Sequence, residues 1–394
     1  MYHISEFAMS AQLQPSSGRC PIDHARDDRK SASAAQGGLL AAPEVTSFDA
    51  VRAVLRDTDA RQAGFKAEVI LRYRGRARPP ILYLHGEAHR RQRSGTARFF
   101  TPRVVETRYR DLMERTSDAL LARLVRDGSA DLDRLSLEMA VTVAAEIVGL
   151  TESDIAGMSR RLDAFFSTTF QTGRGKFAEL MSFVLGQWRM RRFYAKDVKP
   201  AIAARRAAPR EDVISHLLSE GYTPLDILTE CFTYGAAGMV TTREFITMAG
   251  WHLLERPELR AQFLAADADG QIAILEEILR LEPVVGTLYR HVEGGTVALD
   301  IRAANGDATA VGTCPHALDP ERVRAPRVTG PGLAFGDGEH RCPGAGVALH
   351  ESAVFLDRLL RIPGLKLERA PDVGWNPLVA GYELRNCRLV VDPT

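Results

Sequence analysis

The sequence predicts a single large, mainly α-helical domain with small β-sheets at its margins. Three observations predict it. Most of the chain repeats its apolar residues at the three- and four-residue spacing of a helix face. Strand-like runs are few and short, and neither a linker nor an internal repeat interrupts residues 43–394. The 394 residues are 45% hydrophobic and 26% charged, an ordinary globular balance with ample length for a large core.

The elements follow in chain order. Residues 1–42 are rich in Ser, Ala, Gly and charge and read as a disordered leader. They hold no apolar run long enough for a signal peptide or a membrane anchor. The ordered domain starts near "VTSFDAVRAVL" (45–55). "SLEMAVTVAAEIVGL" (136–150) and "LTECFTYGAAGMVTTREFITMAGWHLL" (228–254) are apolar enough to be long buried helices. "GQIAILEEILRLEP" (270–283) is a shorter amphipathic helix stopped at Pro283. "GTVALDIRA" (295–303) and "CRLVVD" (387–392) are the strand signals.

The formal net charge of +1 gives no global field that would favour nucleic acid or a membrane surface. Five cysteines, with no C-x-x-C pair, predict neither a disulfide framework nor a cysteine-rich zinc site and fit a reducing cytoplasm.

One cysteine stands apart, in "LAFGDGEHRCPGAGVALHE" (333–351). Gly336, Gly338 and Gly344 permit backbone angles closed to other residues and let the chain pass close to a flat ligand. Cys342 immediately precedes a helix-like run, so its sulfur lies near a helix N-terminus, where free N–H groups stabilise a thiolate. A lone thiolate suits the axial position of an iron already held by four other donors. A buried free cysteine in a glycine turn fits the same loop, and the loop alone leaves both readings open.

The full spacing Phe335-Gly336-x-Gly338-x-His340-x-Cys342-x-Gly344 resembles the haem-binding signature of the cytochromes P450. The resemblance implies Cys342 as the proximal thiolate of a haem b (heme b), Phe335 packed beneath the ring and His340 donating to a propionate. No C-x-x-C-H occurs, so the haem is expected to be held non-covalently. Other segments fit the family in order. Glu277 and Arg280 in "EEILR" resemble its E-x-x-R pair, which share a helix face and lock a later segment, here "DPER" with Arg322. His89 and Arg93 in "HRRQR" resemble the helix that meets the propionates, and Arg290 holds the place of another propionate arginine. "AAGMVTT" (236–242) resembles the helix that lies over the iron, with Gly235 and Gly238 letting it open locally for oxygen and Thr241 as the catalytic alcohol. By the same resemblance the substrate pocket draws on the loop Ile70 to Pro80, on Phe166 to Thr172, and on Phe232, Ala236, Val240, Val284, Val285, Thr287, Val379 and Ala380.

Three departures from the family pattern matter. Val240 stands where most members carry Asp or Glu. Either another group, such as Glu244, replaces that acid, or proton delivery is altered. Pro343 follows the cysteine and has no N–H to give to the sulfur. Little except the polar leader precedes the first helix, which leaves one wall of the channel short.

The implied activity is insertion of one oxygen atom from O2 into a C–H or C=C bond of a hydrophobic small molecule, in secondary or xenobiotic metabolism. Oxidative coupling or a peroxide-driven oxidation on the same fold is the alternative. A haem-based sensor would not need Thr241. The chain shows no flavin, nicotinamide or iron–sulfur fingerprint, so electrons are expected from a ferredoxin or flavodoxin with an NAD(P)H-dependent reductase. Arg90, Arg91, Arg98 and Arg341 are candidate docking residues for an acidic carrier. Arg74, Arg76 and Arg78 are either a solvated loop or a contact for an acidic substrate.

Overall fold

The structure, a computed structural model, describes residues 42–65, 78–168, 176–376 and 379–392. The leader is therefore outside the described residues except for Ala42, as are Arg74, Arg76, and residues 169–172 of the second pocket segment.

The core is built on three apolar helices. Leu132–Val148 is buried on nearly every face and ends at Gly149, whose positive φ of 98° forms a left-handed cap. It packs along the second half of a long central helix, which in turn packs against Ala345–Leu360. The central helix begins at Pro224 behind a reciprocal cap between Thr223 and Asp226 and runs to Glu255. Its middle, Gly235–Val240, is a π-helical turn, the local opening expected at Gly235 and Gly238. Ala268–Leu281 starts on an Asp267 cap and stops before Pro283.

Three small sheets frame this bundle. In the first, Glu44–Val45, Gly295–Asp300, Thr287–Val292 and Arg61–Ala63 lie side by side in that order. The second joins Ser129–Asp131, Arg388–Val391 and Leu365–Arg369, and the third pairs Asp372–Asn376 with Gly381–Arg385. The expected strand 295–303 is cut short at Asp300. The Asp300 carboxylate accepts the Ala303 amide at 2.9 Å and caps a helical turn, Ile301–Asn305.

Cys314 is disulfide-bonded, which the cysteine spacing did not predict, because spacing along the chain says nothing of approach in space. Cys231 and Cys342 are free thiols. Among the described residues no helix is long and apolar enough to cross a membrane.

Glu277 and Arg280 pair on one face of Ala268–Leu281. Glu277 is fully buried and accepts Arg280 at 2.7 and 2.8 Å, Arg322 at 3.1 Å, Arg324 at 2.8 Å and the Asp319 amide at 3.2 Å. The surplus guanidinium donors go to backbone carbonyls. Arg280 reaches Asn305 and Pro315, and Arg322 reaches Val311, Thr313, Cys314 and Ala317. One carboxylate therefore ties the chain 305–324 beneath the helix. Burial by itself pushes the Glu277 carboxyl up, but Arg280, Arg322 and the Asp319 amide outweigh it and hold it below the ordinary range. Its contribution to stability is thus present at neutral pH and is lost as pH falls through that lowered value. Glu277→Gln leaves two buried guanidiniums, and the half-buried one of Arg324, without their anion and is expected to cost about 3–5 kcal/mol in denaturant unfolding. A loss below about 1 kcal/mol, the size of a surface pair, would contradict the lock.

Candidate active site

The cysteine loop is held in shape by backbone geometry. Gly336 and Gly338 both have φ of 69°, and a Cβ on Gly338 would meet the Leu55 carbonyl oxygen at 2.3 Å. Gly344 differs from the expectation. Its φ of −87° is open to any residue, and what its missing side chain leaves is room beside the Cys342 sulfur. The Cys342 amide donates to the Phe335 carbonyl at 2.9 Å and closes the loop, while Asp337 is held by Arg52 at 2.8 Å and Arg56 at 3.1 Å. The sulfur accepts the Gly344 N–H; Pro343 between them has none to give. Burial pushes the Cys342 thiol up, against the pull of Gly344, Arg93 and Arg341. Left to itself the sulfur would stay protonated, so a thiolate here calls for a cation at its face.

Phe335, Cys342, Pro343 and Gly344 line a cavity of about 340 Å³, within the range of small-molecule sites. Its second feature is a cluster of donors drawn from three elements. His89 and Arg93 project from the helix Gly86–Ala97, Arg290 from the strand Thr287–Val292, and His340 from the cysteine loop. The His89 and His340 rings lie 4.3 Å apart, and Arg93 donates to the Arg341 carbonyl at 2.5 Å. Nδ1 of His89 and Nε2 of His340 are buried with no hydrogen-bond partner among the described residues. Arg290 is 3% exposed and donates to its own neighbour, the Tyr289 carbonyl. Burial, with the mutual repulsion of His89, Arg290, His85 and Arg93, pushes His340 down to about 3. Burial alone lowers Arg290 to about 10. The buried Arg290, the half-buried Arg93 and two orphaned ring nitrogens facing one space call for an anion with several oxygens. A haem, with iron for the sulfur and two carboxylates for these donors, fits both halves of the site.

Across the cavity from Cys342 lies the π turn of the central helix. Thr241 donates its hydroxyl to the Ala237 carbonyl at 2.5 Å, and Gly238, Thr241 and Thr242 face the cavity. Phe232, Ala236, Val284, Val285 and Val379 line it as expected. Val240, Thr287 and Ala380 do not. The π turn carries Val240 away from the cavity into the core, where it is 1% exposed. Leu288 and Arg290 face the cavity, so strand alternation turns Thr287 to the other side. Ala380 sits at a positive-φ turn in a separate cluster with Ala63, Tyr289 and Ala298. Phe166 is one layer back, its ring 5.2 Å from that of Phe232.

Glu244 is not the substitute acid. It is fully buried, accepts Arg243 at 2.6 and 2.8 Å, the Leu384 amide at 2.7 Å and Arg385 at 2.9 Å, and points to the C-terminal hairpin. No carboxylate lines the cavity among the described residues. The sequence reading also missed a wall made by Ile81, Leu82 and Tyr83, at the edge of the pocket loop it named. Leu288 could have been found from its two-residue spacing to Arg290, and Phe245 from its helical spacing to Thr241.

No protein-family model matches the chain. It is 30% identical over 318 residues to cytochrome P450 107B1 of Saccharopolyspora erythraea, covering 75% of this chain and 72% of that protein. It is also 30% identical over 360 residues to nocardicin C N-oxygenase of Nocardia uniformis, covering 84% and 85%. Among solved structures it superposes on P450BioI, in complex with an acyl carrier protein ligated to hexadec-9Z-enoic acid, with a TM-score of 0.73 at 25% identity over 89% of this chain and 92% of that one. CalO2 gives a TM-score of 0.74 at 23% identity, over 89% and 90%. A likeness of that extent in sequence as well as in fold makes this chain a member of the cytochromes P450, the haem-thiolate oxidoreductases that insert one atom of dioxygen into hydrophobic molecules.

Proposed function

We propose that Cys342 is the axial thiolate of a non-covalent haem b and that His89, Arg93, Arg290 and His340 receive its two carboxylates. The observation that carries this reading is the pair of buried ring nitrogens with no partner among the described residues, His89 Nδ1 and His340 Nε2, beside Arg93 and Arg290 on the same cavity as the Cys342 thiol. Bound there, the haem supplies the activation of dioxygen and the transfer of one oxygen atom.

The chain's own residues prepare the site for that chemistry. The Gly344 N–H pulls on the sulfur and Pro343 has none to add, so the sulfur keeps electron density to share with a metal. Phe335 lines the same cavity as the sulfur and adds an apolar face to it. Across the cavity, Thr241 commits its proton to the Ala237 carbonyl and leaves its Oγ1 lone pairs to accept a hydrogen bond from a water or substrate donor. Gly238 keeps the π turn free of side-chain bulk at that point. Phe232, Ala236, Val284, Val285 and Val379 form an apolar wall that suits a moderately sized hydrophobic substrate of secondary or xenobiotic metabolism.

Electrons come from a separate ferredoxin or flavodoxin with its NAD(P)H-dependent reductase, and the setting is cytoplasmic. The face around the cysteine loop offers Arg91 and Arg341, both exposed and without an ion pair among the described residues. Arg90 is shared between Glu87 and Glu339, and Arg98 lies near Glu211, so the free docking charge is narrower than four arginines.

The cavity's lack of a lining carboxylate favours one second reading, a peroxide-driven oxidation or oxidative coupling that needs less proton delivery from the protein. Turnover under isotope-labelled dioxygen separates the two. Label in the product with consumption of reductant is expected, and product without label, or formed from peroxide alone, would favour the second. The cofactor assignment has its own test. Arg290→Leu removes one buried partner of a haem carboxylate and is expected to speed haem transfer to apomyoglobin by about thirtyfold or more. An unchanged transfer rate would remove Arg290 from the set.

A further inference from the structure

Glu230 sits on the central helix just before Phe232, Thr233 and Tyr234, which line the cavity, yet it does not line the cavity itself. It is 1% exposed. Its Oε1 accepts hydrogen bonds from two distant parts of the chain, Gln92 Nε2 at 2.6 Å and the Ile81 amide at 3.0 Å. Its Oε2 is buried with no partner among the described residues. Gln92 belongs to the helix that carries His89 and Arg93, and its own side-chain oxygen accepts the Tyr222 hydroxyl at 3.0 Å. Ile81 opens the short turn Ile81–Tyr83 that walls the cavity. One carboxyl therefore meets the central helix, the donor helix and the substrate wall together.

A second carboxyl on the same helix provides a contrast. Asp226 accepts the Arg78 amide at 2.6 Å, and Thr223 donates to it from its amide at 2.8 Å and its hydroxyl at 2.7 Å. Both of its oxygens are answered. Glu230 holds the same segment three residues further on, with one oxygen bare.

We propose that Glu230 is a positioning residue for the reaction: its ionised carboxylate clasps the Ile81–Tyr83 wall and Gln92 to the central helix, and protonation loosens the clasp while Asp226 keeps the segment tied at Arg78. Its consequence for substrate binding rests on reading the cavity as the substrate site, whereas the clasp does not.

The physical ground is that hydrogen bonds to an ionised acceptor are about twice as strong as those to a neutral one. Burial pushes Glu230 up to about 7, although Gln92 and the Ile81 amide pull it back and the charge of Asp226 adds to the rise. Asp226 goes the other way. Burial raises it, but the Arg78 amide and Thr223 outweigh that and leave it below the ordinary range.

The tyrosines, the cysteine and the histidines around Glu230 are all shifted away from neutrality. Burial raises Tyr222, Cys231 and Tyr234, which stay neutral. Burial lowers His89 and His216 on the packed helices. Arg78 lies 4.4 Å over the Tyr222 ring, and Arg93 faces Tyr234. The sign follows. Because its folded value lies above its unfolded one, Glu230 gives less to global stability as pH rises through that interval, yet its charged form tightens the local clasp.

Residue-resolved amide hydrogen exchange on the haem-loaded protein, corrected for intrinsic rates, tests this. Between about pH 8 and about pH 6 the protection of the Ile81 amide is expected to fall roughly five- to tenfold, while that of Arg78 holds. In Glu230→Gln, Ile81 is expected to be weakly protected at both pH values. Constant Ile81 protection in the unmodified protein, or a fall in which Arg78 takes an equal part, would overturn the inference, and this series needs no variant to fold. The amides report on the clasp whatever the cavity binds, so failure of the functional reading and failure of the clasp are told apart.

Discussion

A half-buried cysteine and a cluster of two arginines and two histidines face one cavity, and neither finds its counter-charge among the described residues. Each costs free energy as it stands, because burial strips water from groups that nothing replaces. Cys342 is driven toward the neutral thiol, and His340 and Arg290 toward their uncharged forms. A single ligand that presents a metal to the sulfur and carboxylates to the donors relieves both at once. Much of the rest of the fold holds these two features apart and in line. Asp337 with Arg52 and Arg56 anchors one side of the cysteine loop, and Glu277 with its three arginines anchors the chain that leads into it.

The opposite wall follows another rule. Carboxylates are plentiful around it but turned away from the cavity: Glu244 is consumed by Arg243, Arg385 and the Leu384 amide, and Glu230 by Gln92 and Ile81. What faces the cavity from the π turn is neutral, Gly238, Thr241 and Thr242. The missing acid at Val240 therefore matters less as a lost pocket group than the sequence suggested, since the side chain at that position is buried in the core. An aspartate placed there would be a carboxylate in apolar surroundings, costly unless paired.

The cysteine loop was readable from sequence because its demands are local. Positive φ at Gly336 and Gly338 and the spacing to Cys342 are properties of ten residues. The Glu277–Arg280 pair was readable for the same reason, and the opening of the central helix was foreshadowed by two glycines. What the sequence hid depends on register or on partners far along the chain. Strand alternation turned Thr287 outward and the π turn moved Val240 inward. Glu244 found its partners 140 residues away, and Glu230 met Ile81 from a segment 149 residues earlier.

The most direct test of the account is the carbon monoxide spectrum of the reduced protein, recorded beside that of Cys342→Ser. The account predicts the strongly red-shifted Soret band of a thiolate-ligated haem in the unmodified protein and its loss in the variant. A thiolate band that survives Cys342→Ser, or its absence from the haem-loaded parent, would contradict the assignment of Cys342 and with it the reading of the whole cavity.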